Sequence, residues 1–112
     1  MNGKNDFRRV FVSVETLNEA KQIARILVSE KLAACCSISQ NNYSYFAWQG
    51  ALQERLERQM FIKTKNDKFE ALLERIAEIH PDEVPEIIAI PVVDGYEPYL
   101  NWMEQVLSED NC

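Results

Sequence analysis

The chain has 112 residues, and 46% of them are hydrophobic, which is enough for the core of one domain spanning 1–112, with polar tails at about 1–6 and 108–112. Its 12 basic and 18 acidic residues give a net charge of −6. This charge argues against nucleic acid and anionic membranes as partners, because both are bound through clustered Lys and Arg. We therefore predict neither of these partners.

The location of the protein is predicted from its apolar runs and its cysteines. No apolar run reaches the roughly 20 residues of a membrane span, and the polar start lacks the apolar stretch of a signal peptide. The three cysteines, Cys35, Cys36 and Cys112, form no recognisable disulfide framework, and an odd number is typical of a reducing compartment. We expect a cytoplasmic protein.

The first part of the chain predicts a strand, a helix and an aromatic strand. Phe7 to Val14 is rich in β-forming residues and predicts the first strand. Thr16 and Glu19 match a capping box at the start of a helix that runs to about Lys31. A short apolar segment, Leu32 to Ile38, and a polar patch come next. The second strand is then indicated by its aromatic residues, Tyr43, Tyr45, Phe46 and Trp48.

The segment 51–65 is ambiguous between helix and strand on local grounds. Gln49 and Gly50 indicate a turn before it. Leu52, Leu56 and Met60 recur every four residues, which places them on one face of either a helix or a strand. Propensity alone favours a helix up to Met60, whereas residues 61–65 favour a strand. The local pattern leaves both possibilities open.

The second half predicts a helix, a strand and a final helix. Asn66 or Asp67 can cap the first of these helices, which must end before Pro81. Its apolar face is expected at Phe69, Leu72, Leu73, Ile76 and Ile79. Glu86 to Val93 is almost continuously apolar, which predicts a central strand. Pro98 suits the first turn of the last helix. The inner side of that helix is expected at Tyr99, Trp102, Met103, Val106 and Leu107.

The segment His80–Glu86 is the candidate cation site, because it reads His-Pro-Asp-Glu-Val-Pro-Glu. Its candidate ligands are His80, Glu83 and Glu86. Imidazole binds copper, nickel and zinc well, and carboxylates extend the range to harder ions. A structural metal site usually has four protein ligands, however, and the chain has one histidine. A helix end, in which the imidazole bonds the last carbonyls, is therefore the alternative interpretation.

Cys35 is a second candidate ligand, since a thiolate is preferred by Cu(I). Its small and apolar neighbours favour instead a packed residue at the start of a strand, as is common for free cysteine. If this segment is a strand, Cys36 points to the opposite face.

Catalysis has little support in the sequence. No nucleophile accompanies the one histidine at a recognisable spacing. The glycine-rich loops that bind phosphates are also absent, with Gly3, Gly50 and Gly95 the only glycines. We predict a protein that is not an enzyme and that uses no organic cofactor.

Four motifs follow one another along the chain, at Glu30–Cys35, Tyr45–Gly50, His80–Glu86 and Tyr99–Trp102. Together they resemble the CutA family, the divalent-cation tolerance proteins, and the resemblance covers about Val10 to Val106. It implies a ferredoxin-like fold of the α+β class, a βαββαβ sandwich with an extended hairpin between the second and third strands and a C-terminal helix. It therefore also implies that 51–65 is a strand.

The resemblance further implies a homotrimer similar to the PII signalling proteins, in which the long strands and their aromatic residues bury surface between subunits. We accordingly expect a trimer that binds Cu²⁺ or another divalent cation weakly and serves in cation tolerance. The alternative is a PII-like sensor or scaffold, whose intersubunit clefts bind a small molecule or a partner protein.

The chain also departs from the family pattern. Asp82 and Gln49 stand where family members often have tyrosine and glutamate. Val12 and Ile79 stand where some bacterial relatives have a cysteine and a second histidine. A copper site made of those two residues cannot be carried over, so the expected site rests on His80 and its neighbours, with Cys35 as a further candidate.

Overall fold

The computed structural model describes residues 6–108, in which four strands form one antiparallel sheet in the order β2-β3-β1-β4. The strands are β1 (Phe7–Val14), β2 (Cys35–Trp48), β3 (Ala51–Lys65) and β4 (Ile87–Pro91). The helices are α1 (Leu17–Ser29), α2 (Asn66–Ile79) and α3 (Glu97–Leu107). The predicted ferredoxin-like α+β fold with a C-terminal helix is confirmed. Cys112 and most of both predicted tails lie outside the described residues.

The main core lies between one face of the sheet and helices α1 and α2. Alternation along the strands turns every second side chain of β1 and β3 toward the helices. The fully buried residues of this layer are Val10, Val12, Val14, Ala20, Leu27, Met60, Ile62, Leu72 and Ile76. Val12 is therefore a core residue.

Helix α3 packs on the other face of the sheet, at one end. Leu100, Met103 and Leu107 follow a helical spacing and form a second cluster with Phe7. Tyr99 and Trp102 were predicted on this inner side, and that prediction was wrong, because both rings lie at the edge of the buried stripe and are partly exposed.

The hairpin of β2 and β3 extends well beyond the rest of the sheet. Strand β1 pairs with residues 58–65 of β3, whereas residues 51–57 pair with β2 alone. The hairpin turns through Gln49 and Gly50, whose φ angles of 52° and 81° match the two left-handed positions of a tight hairpin turn. The prediction of a strand for 51–65 is confirmed.

Strand β2 is longer than the aromatic segment that the sequence indicated. It begins at Cys35 and continues through the polar patch, where its register with β3 shifts between Ile38 and Asn41. This irregularity lets the strand absorb the polar patch without ending, and Ser39 Oγ accepts a hydrogen bond from the Gln59 N–H at 3.0 Å.

Strand β4 lies at the edge of the sheet, and the predicted central position was wrong. It pairs with β1 alone. Ile87 and Ala89 pack against the main core, whereas Ile88 and Ile90 point to the open face and are 55% and 45% exposed. The strand is thus apolar on both faces without having a neighbour on both edges.

The starts of the two long helices differ. In α1 the Thr16 hydroxyl accepts a hydrogen bond from the Glu19 N–H at 3.2 Å, which confirms one half of the predicted capping box. Within the described residues, Oε1 of Glu19 is buried without a hydrogen-bond partner. In α2 the capping position is Lys65, which makes no side-chain capping bond, so the predicted cap at Asn66 or Asp67 was wrong. Strand β3 runs directly into this helix and leaves no separate capping residue.

Candidate functional site

A cleft of about 600 Å³ lies between the hairpin and the segment that joins α2 to β4. Paired residues of β2 and β3 share a face, so Phe46 and Trp48 point to the same side of the hairpin as Arg55. Tyr43 and Tyr45 point to the opposite side. The cleft is lined by Ser13, Phe46, Trp48, Gln53, Arg55, Glu57, Pro81, Asp82, Glu83, Val84 and Glu86.

An ion-pair network centred on Arg55 joins the two walls of the cleft. Its Nη1 and Nη2 donate to Oδ1 and Oδ2 of Asp82 at 3.1 and 2.9 Å, a two-pronged pairing. Its Nε donates to Glu57 Oε2 at 2.9 Å, and the Ser44 hydroxyl donates to the other oxygen of Glu57. Hydrogen bonding to Asp82 raises the pKa of Arg55, burial opposes this rise, and the bond to Glu57 adds to it.

Glu57 is only 4% exposed, so its carboxylate depends on these partners. Arg55 pairs with Asp82 and Glu57 of its own chain. The network therefore fixes the position of the segment after α2 against the hairpin.

His80 occupies the end of α2 and is 7% exposed. Its Nδ1 accepts a hydrogen bond from the Asp82 N–H at 3.0 Å, which leaves the ring proton on Nε2, 2.8 Å from the carbonyl oxygen of Ser13. Both ring nitrogens therefore have partners. The ring does not bond the last helical carbonyls; it connects the end of β1 to the turn that follows α2.

Glu83 and Glu86 are exposed at the rim of the cleft. Glu86 accepts a hydrogen bond from the Ser13 hydroxyl at 3.0 Å. Within residues 6–108, no three His, Cys, Asp or Glu side chains are arranged to hold one metal ion. The structure thus brings His80, Glu83 and Glu86 to one region, and their role as ligands stays a prediction.

Cys35 lies away from this region, because it pairs with Lys63 at the opposite end of the long strands. Its Sγ lies 3.8 Å from Lys63 Nζ. Cys36 points to the other face, as predicted, and packs against the main core. Cys35 is half-buried on the opposite face of the sheet, beside Lys63, so the burial expected for it is only partial.

Burial raises the pKa of Cys36 to about 12, the neighbouring Cys35 adds to the rise, and Lys63 opposes it. In a variant with Cys35→Ser and Cys112→Ser, we expect iodoacetamide at pH 8 to label Cys36 at least about a hundredfold more slowly than free cysteine, because the thiolate is the reactive form. Labelling should accelerate about tenfold per pH unit up to the pKa. If the native variant were labelled as fast as the urea-unfolded variant, the burial of the Cys36 thiol would be contradicted.

Four residues of the cleft were not predicted from the sequence, and they are Ser13, Gln53, Arg55 and Glu57. Arg55 and Glu57 are two positions apart, a spacing that places them on one face of a strand once 51–65 is known to be one. Ser13 is the one polar residue at the apolar end of β1. No local signal identifies Asp82 as the partner of Arg55, because the two are 27 residues apart.

The fold and the cleft define a ferredoxin-like protein with a charged and partly aromatic cleft beside its long hairpin. Residues 9–106 match the family model described as CutA1 divalent ion tolerance protein. The match covers most of the chain and agrees with the resemblance in the four motifs. The chain belongs to the CutA1 family.

Relatives with known names support this assignment. Protein CutA of Mus musculus is 42% identical over 96 residues, which cover 86% of the chain and 54% of the mouse protein. The divalent-cation tolerance protein CutA of Thermus thermophilus is 38% identical over 96 residues, which cover 86% of the chain and 93% of that protein. The chain thus spans about half the length of the mouse relative and nearly all of the bacterial one.

Solved structures give the same result for the fold. CutA1 from Oryza sativa superposes with a TM-score of 0.91 at 33% identity, covering 97% of the chain and all 100% of the rice structure. CutA from Xylella fastidiosa superposes with a TM-score of 0.89 at 34% identity, and the match covers 92% of the chain and 99% of that structure. The α+β fold is therefore shared across the family.

The names of two relatives state different cellular locations. The Arabidopsis thaliana relative is named as chloroplastic, and an Archaeoglobus fulgidus relative is named as periplasmic. Over residues 6–108, none of the helices has the length and apolar character needed to cross a membrane. The cytoplasmic location stays a prediction.

Proposed function

We propose that the protein serves in divalent-cation tolerance by binding Cu²⁺ or another divalent cation directly and weakly, without catalysing a reaction. The charge of the cleft is the main support for this proposal, because one guanidinium faces the four carboxylates of Glu57, Asp82, Glu83 and Glu86. This excess of negative charge attracts cations to the cleft. The family name, divalent ion tolerance protein, supports the same role.

In the proposed site, Glu83 and Glu86 supply the oxygen ligands, because they are exposed and not committed to Arg55. His80 joins them by giving up one of its two hydrogen bonds, which makes the site weak. Cys35 lies at the other end of the hairpin strands and is therefore a separate candidate ligand. Its thiolate is suited to a soft ion such as Cu(I).

We also propose that the protein is a cytoplasmic homotrimer. The chain exposes many large apolar side chains, more than a soluble monomer usually leaves in contact with water. On the hairpin they include Tyr43, Tyr45, Leu52 and Leu56. Among the residues that the structure describes, none pairs with the free edge of 51–57 in β3, and this edge is suited to pairing with another strand.

Calorimetric titration with Cu²⁺ tests the cation site. Replacing both rim carboxylates, Glu83→Gln and Glu86→Gln, should weaken binding at least about tenfold, because both charged ligands are lost. The matched control is Glu70→Gln with Glu74→Gln, which changes the net charge equally on the exposed side of α2. Equal affinities of the two double variants would overturn the assignment of the site.

The second candidate function is a PII-like sensor in which the cleft binds a small molecule. Its size supports this role, since a volume of about 600 Å³ is typical of small-ligand sites. The aromatic rings of Phe46 and Trp48 support it as well, because they are not metal ligands. A Cu²⁺ isotherm that saturates at one ion per subunit favours cation tolerance, and a shallow one favours the sensor.

A further inference from the structure

The walls of the cleft are held in place before any ligand binds. Arg55 joins the hairpin to Asp82 through two hydrogen bonds, and His80 joins the same turn to the end of β1. The Ser13 hydroxyl holds Glu86. Three separate connections thus fix the segment 80–86 against the sheet, and a site built in this way loses little conformational entropy when it binds.

The charges of the cleft select against an anion. The guanidinium of Arg55 is already paired with Asp82 and Glu57, and the remaining charged groups at the rim are the carboxylates of Glu83 and Glu86. No other basic side chain lines the cleft within the described chain. These charges therefore favour a ligand that carries positive charge.

The aromatic wall distinguishes an organic cation from a bare metal ion. Phe46 and Trp48 lie on the cleft side of the hairpin and are each 39% exposed. Aromatic faces attract weakly hydrated cations such as substituted ammonium ions. They offer no lone pair to a metal ion, whose ligands are oxygen, nitrogen or sulfur atoms. Val84 adds apolar surface at the rim.

We propose, resting on the small-molecule role of the cleft given above, that its ligand is an organic ammonium ion. The charged nitrogen lies between Trp48 and the carboxylates of Glu83 and Glu86. The hydrocarbon part of the ligand packs against Phe46 and Val84. The cleft thus recognises a cation by ring faces and by charge together.

Calorimetry with choline as the probe tests this proposal on the full chain. We expect millimolar binding of choline and at least about tenfold weaker binding of its neutral analogue, in which a carbon atom replaces the quaternary nitrogen. Equal binding of the two molecules, or binding of neither, overturns the proposal.

Variants of the hairpin locate the probe. Trp48→Leu should weaken choline binding about tenfold, whereas Trp48→Phe, which keeps a ring face, should change it less than about threefold. Tyr96→Leu is the matched control, because this ring is 77% exposed and does not line the cleft. Equal effects of Trp48→Leu and Tyr96→Leu would place the probe elsewhere and overturn the proposal.

Copper uptake, measured on the same preparations, separates this proposal from cation tolerance. Choline binding without Cu²⁺ uptake supports the ammonium site and contradicts the metal site. Uptake of Cu²⁺ without choline binding overturns the ammonium site and supports the metal site.

Discussion

Replacing Arg55 by methionine is expected to destabilise the protein by about 3 kcal/mol, because it leaves the buried Glu57 carboxylate without its charged partner. Asp82 loses both of its bonds from the guanidinium at the same time. Methionine keeps most of the hydrocarbon volume of arginine. The loss of stability therefore measures the contribution of the charge network and not the cost of a cavity. Urea unfolding, followed by circular dichroism, gives the change in the free energy of unfolding.

Arg75→Met is the matched control for this variant. Arg75 also contacts two carboxylates, those of Glu30 and Glu78, but this network lies at the helix surface. Exposed ion pairs contribute little, so the control should unfold at nearly the wild-type urea concentration. Equal shifts of the midpoint in the two variants would show that the Arg55 network has no special role.

Replacing His80 by alanine is the second change with a large expected effect, also about 3 kcal/mol. The ring is buried, and its removal leaves the Ser13 carbonyl and the Asp82 N–H without partners. The turn after α2 then loses one of its connections to β1. We therefore also expect Cu²⁺ binding to weaken at least about tenfold, both from the loss of the imidazole and from the loosened rim.

The two effects of His80→Ala can be separated with Asp82→Asn. This variant keeps the backbone N–H that donates to His80 Nδ1, but it weakens the pairing with Arg55. If Cu²⁺ affinity falls only in His80→Ala, the imidazole is a ligand. Unchanged Cu²⁺ affinity in His80→Ala would show that His80 is not a ligand. A decrease of less than about 1 kcal/mol in its free energy of unfolding would contradict the structural role of the ring.

Much of the fold could be predicted from local patterns. Alternation along β1 and the Thr16 capping bond identify the first two elements, and Gln49-Gly50 identifies the hairpin turn. Residues 51–60 were the exception, since Leu52, Leu56 and Met60 share a face in either structure. The family resemblance decided this segment, because its strand conformation depends on pairing with β2 and not on propensity.

The predictions that failed depend on long-range contacts. The position of a strand in a sheet is set by its neighbours, and the apolar sequence of β4 does not reveal that it pairs with β1 alone. Similarly, the helical spacing of α3 is compatible with several inner faces, and only packing against Phe7 selects Leu100 over Tyr99.

The candidate site, too, could be predicted from the sequence only in part. The sequence located His80, Glu83 and Glu86 in one segment, and the structure places that segment beside a cleft. It could not show that both His80 nitrogens have backbone partners, one of them 67 residues away. Nor could it show the role of Asp82, whose carboxylate pairs with Arg55 of the hairpin.

Native mass spectrometry during a Cu²⁺ titration tests the proposed function most directly, because it reports the assembly and the number of bound ions together. We predict a trimer that takes up three ions, one per subunit, and that loses them when Glu83 and Glu86 are both replaced by glutamine. A trimer that stays free of copper, or a monomer, would contradict the proposal.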